Sequence, residues 1–191
     1  VPVKSVKDLI TYARAPGSHM NYASSGEGTI SHLAAELFKL TTGVSMAHVP
    51  YKGGGQATID LIAGHVQAGF VNVLEALPQV GAGRLRALAV STPGRSAAMP
   101  TLPTVAESGL PDYAVIQWNG VMGPAGLPSA VVAKLNTEIM RILARAEVRD
   151  RLLKGGADPG SGSQAQFGAL IRVEISKWSA IIRSAKLQTR R

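Results

Sequence analysis

Residues 21–31 read Asn-Tyr-Ala-Ser-Ser-Gly-Glu-Gly-Thr-Ile-Ser, a short strand-like run that passes through a Ser/Gly turn into an amphipathic segment. These residue types at this spacing suit the holding of an anion. Ser24, Ser25 and Thr29 carry hydroxyls that can donate to a carboxylate or phosphate. Gly26 and Gly28 let a ligand approach the backbone without meeting a Cβ. The segment that follows supplies the charge complement: Ile30, Leu33, Ala34, Leu37 and Leu40 fall at helical spacing, Gly43 stops the run, and Thr29 or Gly28 stands where the cap belongs. A helix start presents unpaired N–H groups and roughly half a positive charge to whatever occupies the turn. The turn matches neither Gly-x-Gly-x-x-Gly nor Gly-x4-Gly-Lys-Ser/Thr, so nucleotide binding loses its main support. An ordinary loop and cap would use the same residues, and the rest of the chain has to decide between the two.

A second junction repeats the pattern. Val49-Pro50-Tyr51-Lys52-Gly53-Gly54-Gly55 puts glycines ahead of another helical run, with Lys52 offering a charge and Tyr51 a rigid wall with a hydroxyl. Asn72 closes a third strand-like run with an amide that both donates and accepts. Two Gly-rich helix starts on neighbouring parallel strands would form a cradle at the carboxyl edge of a sheet. Catalytic machinery is not visible. The histidines (His19, His32, His48, His65) lack metal-ligand spacing, and no carboxylate pair stands at the proposed rim. Neither serine sits in a Gly-x-Ser-x-Gly elbow, and His32 is expected against the sheet rather than the ligand. Binding without turnover, and without metal or cofactor, is the simpler expectation.

The elements that must position these residues alternate. Helices are expected at Ser5–Ala15, Thr29–Thr42 and Gln56–Ala63, with a short one near Glu75–Gly81. Strands are expected at Met20–Ala23, Ser45–Pro50, Val66–Val73 and Leu85–Ser91. This order argues for a largely parallel α/β sheet with ligands gathered at the strand carboxyl ends. Pro93–Pro111 reads as a connection with one short helical stretch around Val105–Ser108. Ala114–Met122 gives one more strand. Then come a helix capped by Ser129, a short helix at Val148–Leu153 and a last helix after Ser163 carrying Phe167, Leu170, Ile171, Ile175, Trp178 and Ile182. A lone strand beside three helices cannot satisfy its own backbone, so Ala114–Met122 either joins the first sheet or belongs to a second one incomplete in this chain.

Composition narrows the function classes. The 191 residues, 46% hydrophobic, can bury a core as one domain or two small ones. With no cysteine there is neither a disulfide framework nor a thiol nucleophile nor a zinc–thiolate site. No apolar run approaches the roughly 20 residues a membrane span needs, and Val1-Pro-Val-Lys4 has no signal-peptide pattern, so the compartment is not read from it. The net charge is +8, yet residues 1–113 hold 8 basic against 7 acidic side chains and residues 114–191 hold 12 against 5. That excess is spread along helices with acids among it and few aromatics, a solvated face rather than a nucleic-acid surface.

Several ordered motifs carry a family resemblance. Asn21-Tyr-Ala-Ser-Ser-Gly-Glu-Gly-Thr-Ile-Ser-His-Leu, His48-Val-Pro-Tyr-Lys-Gly, Leu85-Arg-Ala-Leu-Ala-Val-Ser and Met99-Pro-Thr-Leu-Pro-Thr-Val-Ala-Glu-Ser-Gly-Leu-Pro resemble the tripartite tricarboxylate transporter substrate-binding proteins, the Bug family. The resemblance runs over nearly the whole chain, including Gly123-Pro-Ala-Gly-Leu-Pro and the Trp178 helix. It implies a periplasmic-binding-protein type II-like α/β fold of two lobes that close on a small carboxylate and deliver it to membrane transporter subunits. It further implies that residues 1–113 form lobe two and 114–191 the C-terminal contribution to lobe one. The carboxylate would be held by amides, hydroxyls and waters at Ser24, Ser25, Gly26, Gly28 and Thr29 in one loop, Tyr51, Lys52 and Gly53 in another, and Asn72. Where family members show Phe-Asp-Asn, this chain has Phe70-Val-Asn, which offers a ligand amino group less counter-charge. Family members also carry an N-terminal region of roughly a hundred residues, comparable to a small domain, before the matching part. On that basis half of the cleft is expected to be absent here, with the exposed sheet edge open to a second copy as a homodimer. Two alternatives fit the same residues: a truncated, non-binding module or dimer, and a hydrolase or transferase using the same anion cradle.

Overall fold

The structure, a computed structural model, describes residues 1–187. Its first helix, α1 (Val6–Arg14), starts at Ser5, whose side chain accepts from the Asp8 amide at 3.1 Å, while the Asp8 carboxylate accepts from Lys4 N–H at 3.0 Å. Asp8 also places negative charge in the first turn, where the helix dipole favours it. The face Val6, Leu9 and Ala13 is buried.

Three parallel strands follow, β1 (Asn21–Ser24), β2 (Ala47–Pro50) and β3 (Ala68–Gly69), in the order β2-β1-β3. Two crossover helices connect them, α2 (Ile30–Thr42) and α3 (Gly54–Ala63). β1 is central, so its side chains meet packed layers on both faces. Tyr22 points into the larger core with Val6, Leu9, Ala34, Ala35 and Phe38, whereas Ala23 points into a smaller one with Ala57 and Val66. The register pairs Tyr22 with His48 and Ser24 with Pro50.

Phe38 is the hub of the larger core. Its ring packs on Phe70 and Tyr113, with centroids 5.9 and 6.2 Å away, and the Tyr113 hydroxyl donates to the Ala34 carbonyl at 2.9 Å. Trp178, from the last helix, packs against the same cluster.

The remaining helices are α4 (Val73–Gly81), α5 (Ser129–Leu143), α6 (Ala146–Lys154) and α7 (Gln164–Ser184). α7 begins with a reciprocal cap in which the Ser163 hydroxyl accepts from Gln166 N–H and the Gln166 side chain accepts from Ser163 N–H.

Several expected elements come out differently, each for a local reason. Leu85–Ser91 is not a strand: only Val90 bridges to Thr104, and the Ser91 carbonyl accepts from Val115 N–H at 2.8 Å. Ala114–Met122 is not a strand either. No extended neighbour offers it a ladder among the described residues, and Val121 and Met122 are 75% and 68% exposed. Both segments instead line an open cleft of about 1360 Å³ together with Val132, Ile139 and Phe167. The Val66–Val73 strand shortens to Ala68–Gly69 because Asn72 caps α4 and pulls Val73 into the helix. Val105–Ser108 forms turns rather than a helix, and Pro128, not Ser129, occupies the cap of α5.

Phe38→Ala should cost about 3–5 kcal/mol, since the ring is buried among two other aromatics that cannot all collapse into its space. Urea denaturation checks this.

Candidate functional site

Strand alternation decides which side chains meet above β1. Tyr22 and Ser24, two residues apart, share the α2 face, and the parallel register brings His48 of β2 to the same face. The His48 ring stacks on Tyr22 with centroids 4.9 Å apart, and its Nε2 shares a 2.6 Å hydrogen bond with Ser24 Oγ. His32, in the first turn of α2, lies on top: its ring stacks on His48 at 3.9 Å between centroids and 11° between planes. The histidines that look scattered in sequence thus include a face-to-face pair, His32 buried and His48 half-buried.

The turn between β1 and α2 is tied down by its own side chains. Ser24 Oγ accepts from Gly26 N–H at 3.1 Å, and Gly28 N–H donates to His32 Nδ1 at 3.0 Å. Ser25 N–H donates to Ser31 Oγ at 2.9 Å, and the Ser25 and Ser31 hydroxyls lie 2.8 Å apart. Thr29 is the residue that precedes α2, but its hydroxyl does not cap the helix; it donates to the Gly26 carbonyl at 2.7 Å and lies 3.0 Å from Ser31 Oγ. The amides of Ser25, Gly26 and Gly28 are therefore committed within the loop. Those of Glu27, Ile30, Ser31 and His32 have no protein acceptor among the described residues. These four lie at or just before the start of α2, the positive end of its dipole.

The second loop abuts the first. Tyr51 N–H donates to the Ser24 carbonyl at 3.1 Å, and Gly26, at φ 135°, lies so close that an added Cβ would stand 3.1 Å from the Tyr51 carbonyl oxygen. That position admits only glycine without displacing the neighbouring loop. Lys52 is exposed and pairs with no acid among the described residues. Gly53, at φ 131°, precedes α3. The Tyr51 hydroxyl is already spent on Asp60 at 2.8 Å, so this residue offers a ligand its ring and backbone. Gly54 faces the Glu75 carboxylate of α4, which a Cβ at that position would overlap. The start of α3 accordingly has a resident acid, and the start of α2 has none.

Of the residues singled out from sequence, Ser24, Ser25, Gly26, Gly28, Thr29, Tyr51, Lys52 and Gly53 lie on these two adjoining loops. Asn72 stands apart, its side chain accepting from Leu74 N–H at 3.0 Å and donating to Gln117 Oε1 at 3.1 Å. Sequence reasoning missed Ser31, His48 and Glu36. Ser31 was findable as the second helical residue after Thr29; His48 required the strand register. A Ser–His contact invites comparison with a nucleophile and base, but Ser24 is 1% exposed and its hydroxyl already serves Gly26 and His48.

Charge is concentrated beneath the loop. Buried Glu36 accepts from the Tyr22 hydroxyl and from Lys39 Nζ, both at 2.7 Å, and its carboxylate lies 3.9 Å from His32 Nε2. Burial alone would raise the Glu36 carboxyl, but hydrogen bonds from Lys39 and Tyr22 and the Lys39 charge hold it below the usual value. Burial, reinforced by Glu36, pushes the Tyr22 phenol well up. Burial also pushes both imidazoles down, His48 to about 4, with the neighbouring His32 adding to the effect.

The signs combine. Unfolded histidines take up protons near 6.5 and the folded pair only at lower pH, so stability falls as pH drops below about 6.5. Glu36 adds a further loss as pH falls through its own depressed value. Glu36→Gln should cost about 1–3 kcal/mol at neutral pH by weakening the partners of Tyr22 and Lys39. Urea midpoints of both proteins at neutral pH measure it.

Comparison with known proteins places this geometry. The family model for the tripartite tricarboxylate transporter family receptor matches residues 1–187. BugT of Bordetella pertussis is 34% identical over 186 residues, covering 96% of this chain and 57% of that protein. The chain spans little more than half the length of such relatives. The solved structure of R. palustris Rpa4515 with adipate superposes with a TM-score of 0.89 at 38% identity, covering 97% of this chain and 62% of the other. MatC from Rhodopseudomonas palustris with bound malate gives 0.80 at 29% identity, over 95% and 63%. The parallel sheet, the paired loops at its carboxyl edge and the match along residues 1–187 lead to one conclusion: the chain belongs to the tripartite tricarboxylate transporter receptor family.

Proposed function

We propose that this chain forms one wall of a periplasmic receptor site for a small carboxylate, with the Ser24–Thr29 and Tyr51–Gly53 loops as that wall. The observation that carries the reading is the set of unpaired amides at Glu27, Ile30, Ser31 and His32, at the start of α2 and beside the loop that bears Lys52, which pairs with no acid among the described residues. A carboxylate is an acceptor-only group of the size such a set satisfies. Relatives of the same fold hold adipate and malate, which supports a dicarboxylate.

In this reading residues 1–113 make one lobe and residues 114–191 contribute to another. The ligand is gripped by closure about the segments joining them and then passed to transporter subunits in the membrane. Asn72 of the first lobe and Gln117 of the second, hydrogen-bonded at 3.1 Å, tie the two together, Asn72 acting as a tether rather than as a ligand donor. The open apolar cleft lined by Leu88, Trp118, Val132 and Phe167 fits a place for further strands of the second lobe, in keeping with the greater length of the relatives. Amide and hydroxyl donors recognise a carboxylate without reading the rest of the molecule, so selectivity belongs to the opposite wall.

Calorimetry with adipate, malate and an aromatic carboxylate is the test, run on this chain and on a form extended to the length of its relatives. Heat with at least one of them supports the reading; none from the extended form with any carboxylate refutes it. Ser25→Ala should weaken binding by about 1–3 kcal/mol, because Ser31 would keep the loop while a ligand-facing hydroxyl is lost. An unchanged dissociation constant removes Ser25 from the site.

A further inference from the structure

We infer that the stacked His32–His48 pair is the positioning element of the Ser24–Thr29 loop, and that protonation of the pair loosens the loop and lowers its hold on a carboxylate. The inference rests on the proposed carboxylate reading for its ligand but on geometry for its mechanism.

Each imidazole holds one end of the loop. His48 Nε2 is bonded to Ser24 Oγ, which in turn receives Gly26 N–H. His32 Nδ1 accepts from Gly28 N–H, so the neutral ring carries its proton on Nε2, the nitrogen facing Glu36. A second proton on His32 must go to Nδ1. There it meets the Gly28 N–H donor against donor, and the bond that fixes the left-handed turn at Gly28, φ 72°, is lost. The unpaired amides of Glu27 and Ile30 flank that turn, so they lose their common aim with it.

The surroundings favour one proton on the pair, placed on His32. Two imidazolium rings stacked at 3.9 Å would repel strongly, so the second protonation is opposed. His32 lies next to Glu36, and this carboxylate offsets the new charge locally, so the cation does not become an anchor for the ligand. The other charged and titratable groups around the pair are Lys39 on α2, Glu27 in the loop, and Tyr22 on β1, stacked on His48. On α7, packed on α2, Lys177 donates to the Ala114 carbonyl, and Glu174 accepts from the Trp178 indole at 2.8 Å.

The test has two readouts on the 191-residue chain. In amide and imidazole NMR titrations, the Gly26 and Gly28 amides should move with the same midpoint as the His32 ring. Gly amides that stay still while His32 titrates overturn the inference, whether or not any ligand binds. In calorimetry with adipate, the ratio of affinities at neutral pH and about pH 5 should approach tenfold in the wild type, roughly the ceiling for one coupled group whose pKa shifts by one unit on binding. It should collapse in His32→Asn, which keeps an acceptor near the Nδ1 position but does not titrate. Protonation of adipate is common to both proteins and cancels in the comparison. An unchanged ratio in His32→Asn also overturns the inference. Absence of adipate binding by this chain at every pH leaves the amide titration to decide the coupling and the extended form to decide the carboxylate reading.

Discussion

The register of β1 against β2 is the constraint on which the rest depends. Because Tyr22 pairs with His48 in a parallel ladder, and side chains alternate, Tyr22, Ser24 and His48 arrive on one face beneath the start of α2. A slip of one residue would send Ser24 and Tyr22 to the α3 side, where Ala23 now fits against Ala57 and Val66. The small and large cores on the two faces oppose that slip, since the phenol of Tyr22 has no room where Ala23 sits. The Ser24–Thr29 loop therefore inherits its geometry from core packing rather than from the loop sequence alone.

Buried polarity makes that geometry specific. Glu36 is placed under the histidine pair with Tyr22 and Lys39 as its hydrogen-bond partners, so its charge is compensated within the fold. The imidazoles stay neutral through burial and proximity and act as acceptors or shared partners for the loop. The loop's polar groups then divide into those spent on holding its shape, at Ser24, Gly26, Gly28 and Thr29, and those left unpaired at the helix start. This division separates the scaffold of the proposed anion site from its donors.

Much of this was legible in the residues. The apolar spacing of Ile30, Leu33, Ala34 and Leu37 specified α2, and the glycines of both turns marked the junctions where the two loops meet. The last helix was expected after Ser163, and Ser163 is its cap; the reciprocal bond from Gln166 emerged only in the structure. Leu85–Ser91 and Ala114–Met122 misled because an apolar, β-branched run reports only a capacity to pair; a strand also needs a partner with free edge groups, which a local pattern does not contain. His48 and Glu36 escaped notice for the related reason that their meeting with Ser24 and Tyr22 depends on strand register and helix phase together. Asn72 looked like a strand end and proved to be a helix cap, the same residue type serving either place.

The central claim, that the two adjoining loops are the carboxylate-facing wall, is tested most directly by mapping adipate onto the backbone amides of the isotope-labelled chain. The account predicts that the largest shifts fall on Glu27, Ile30, Ser31, His32 and Lys52. Shifts confined to the apolar cleft around Trp118 and Phe167, with these amides unmoved, would contradict it.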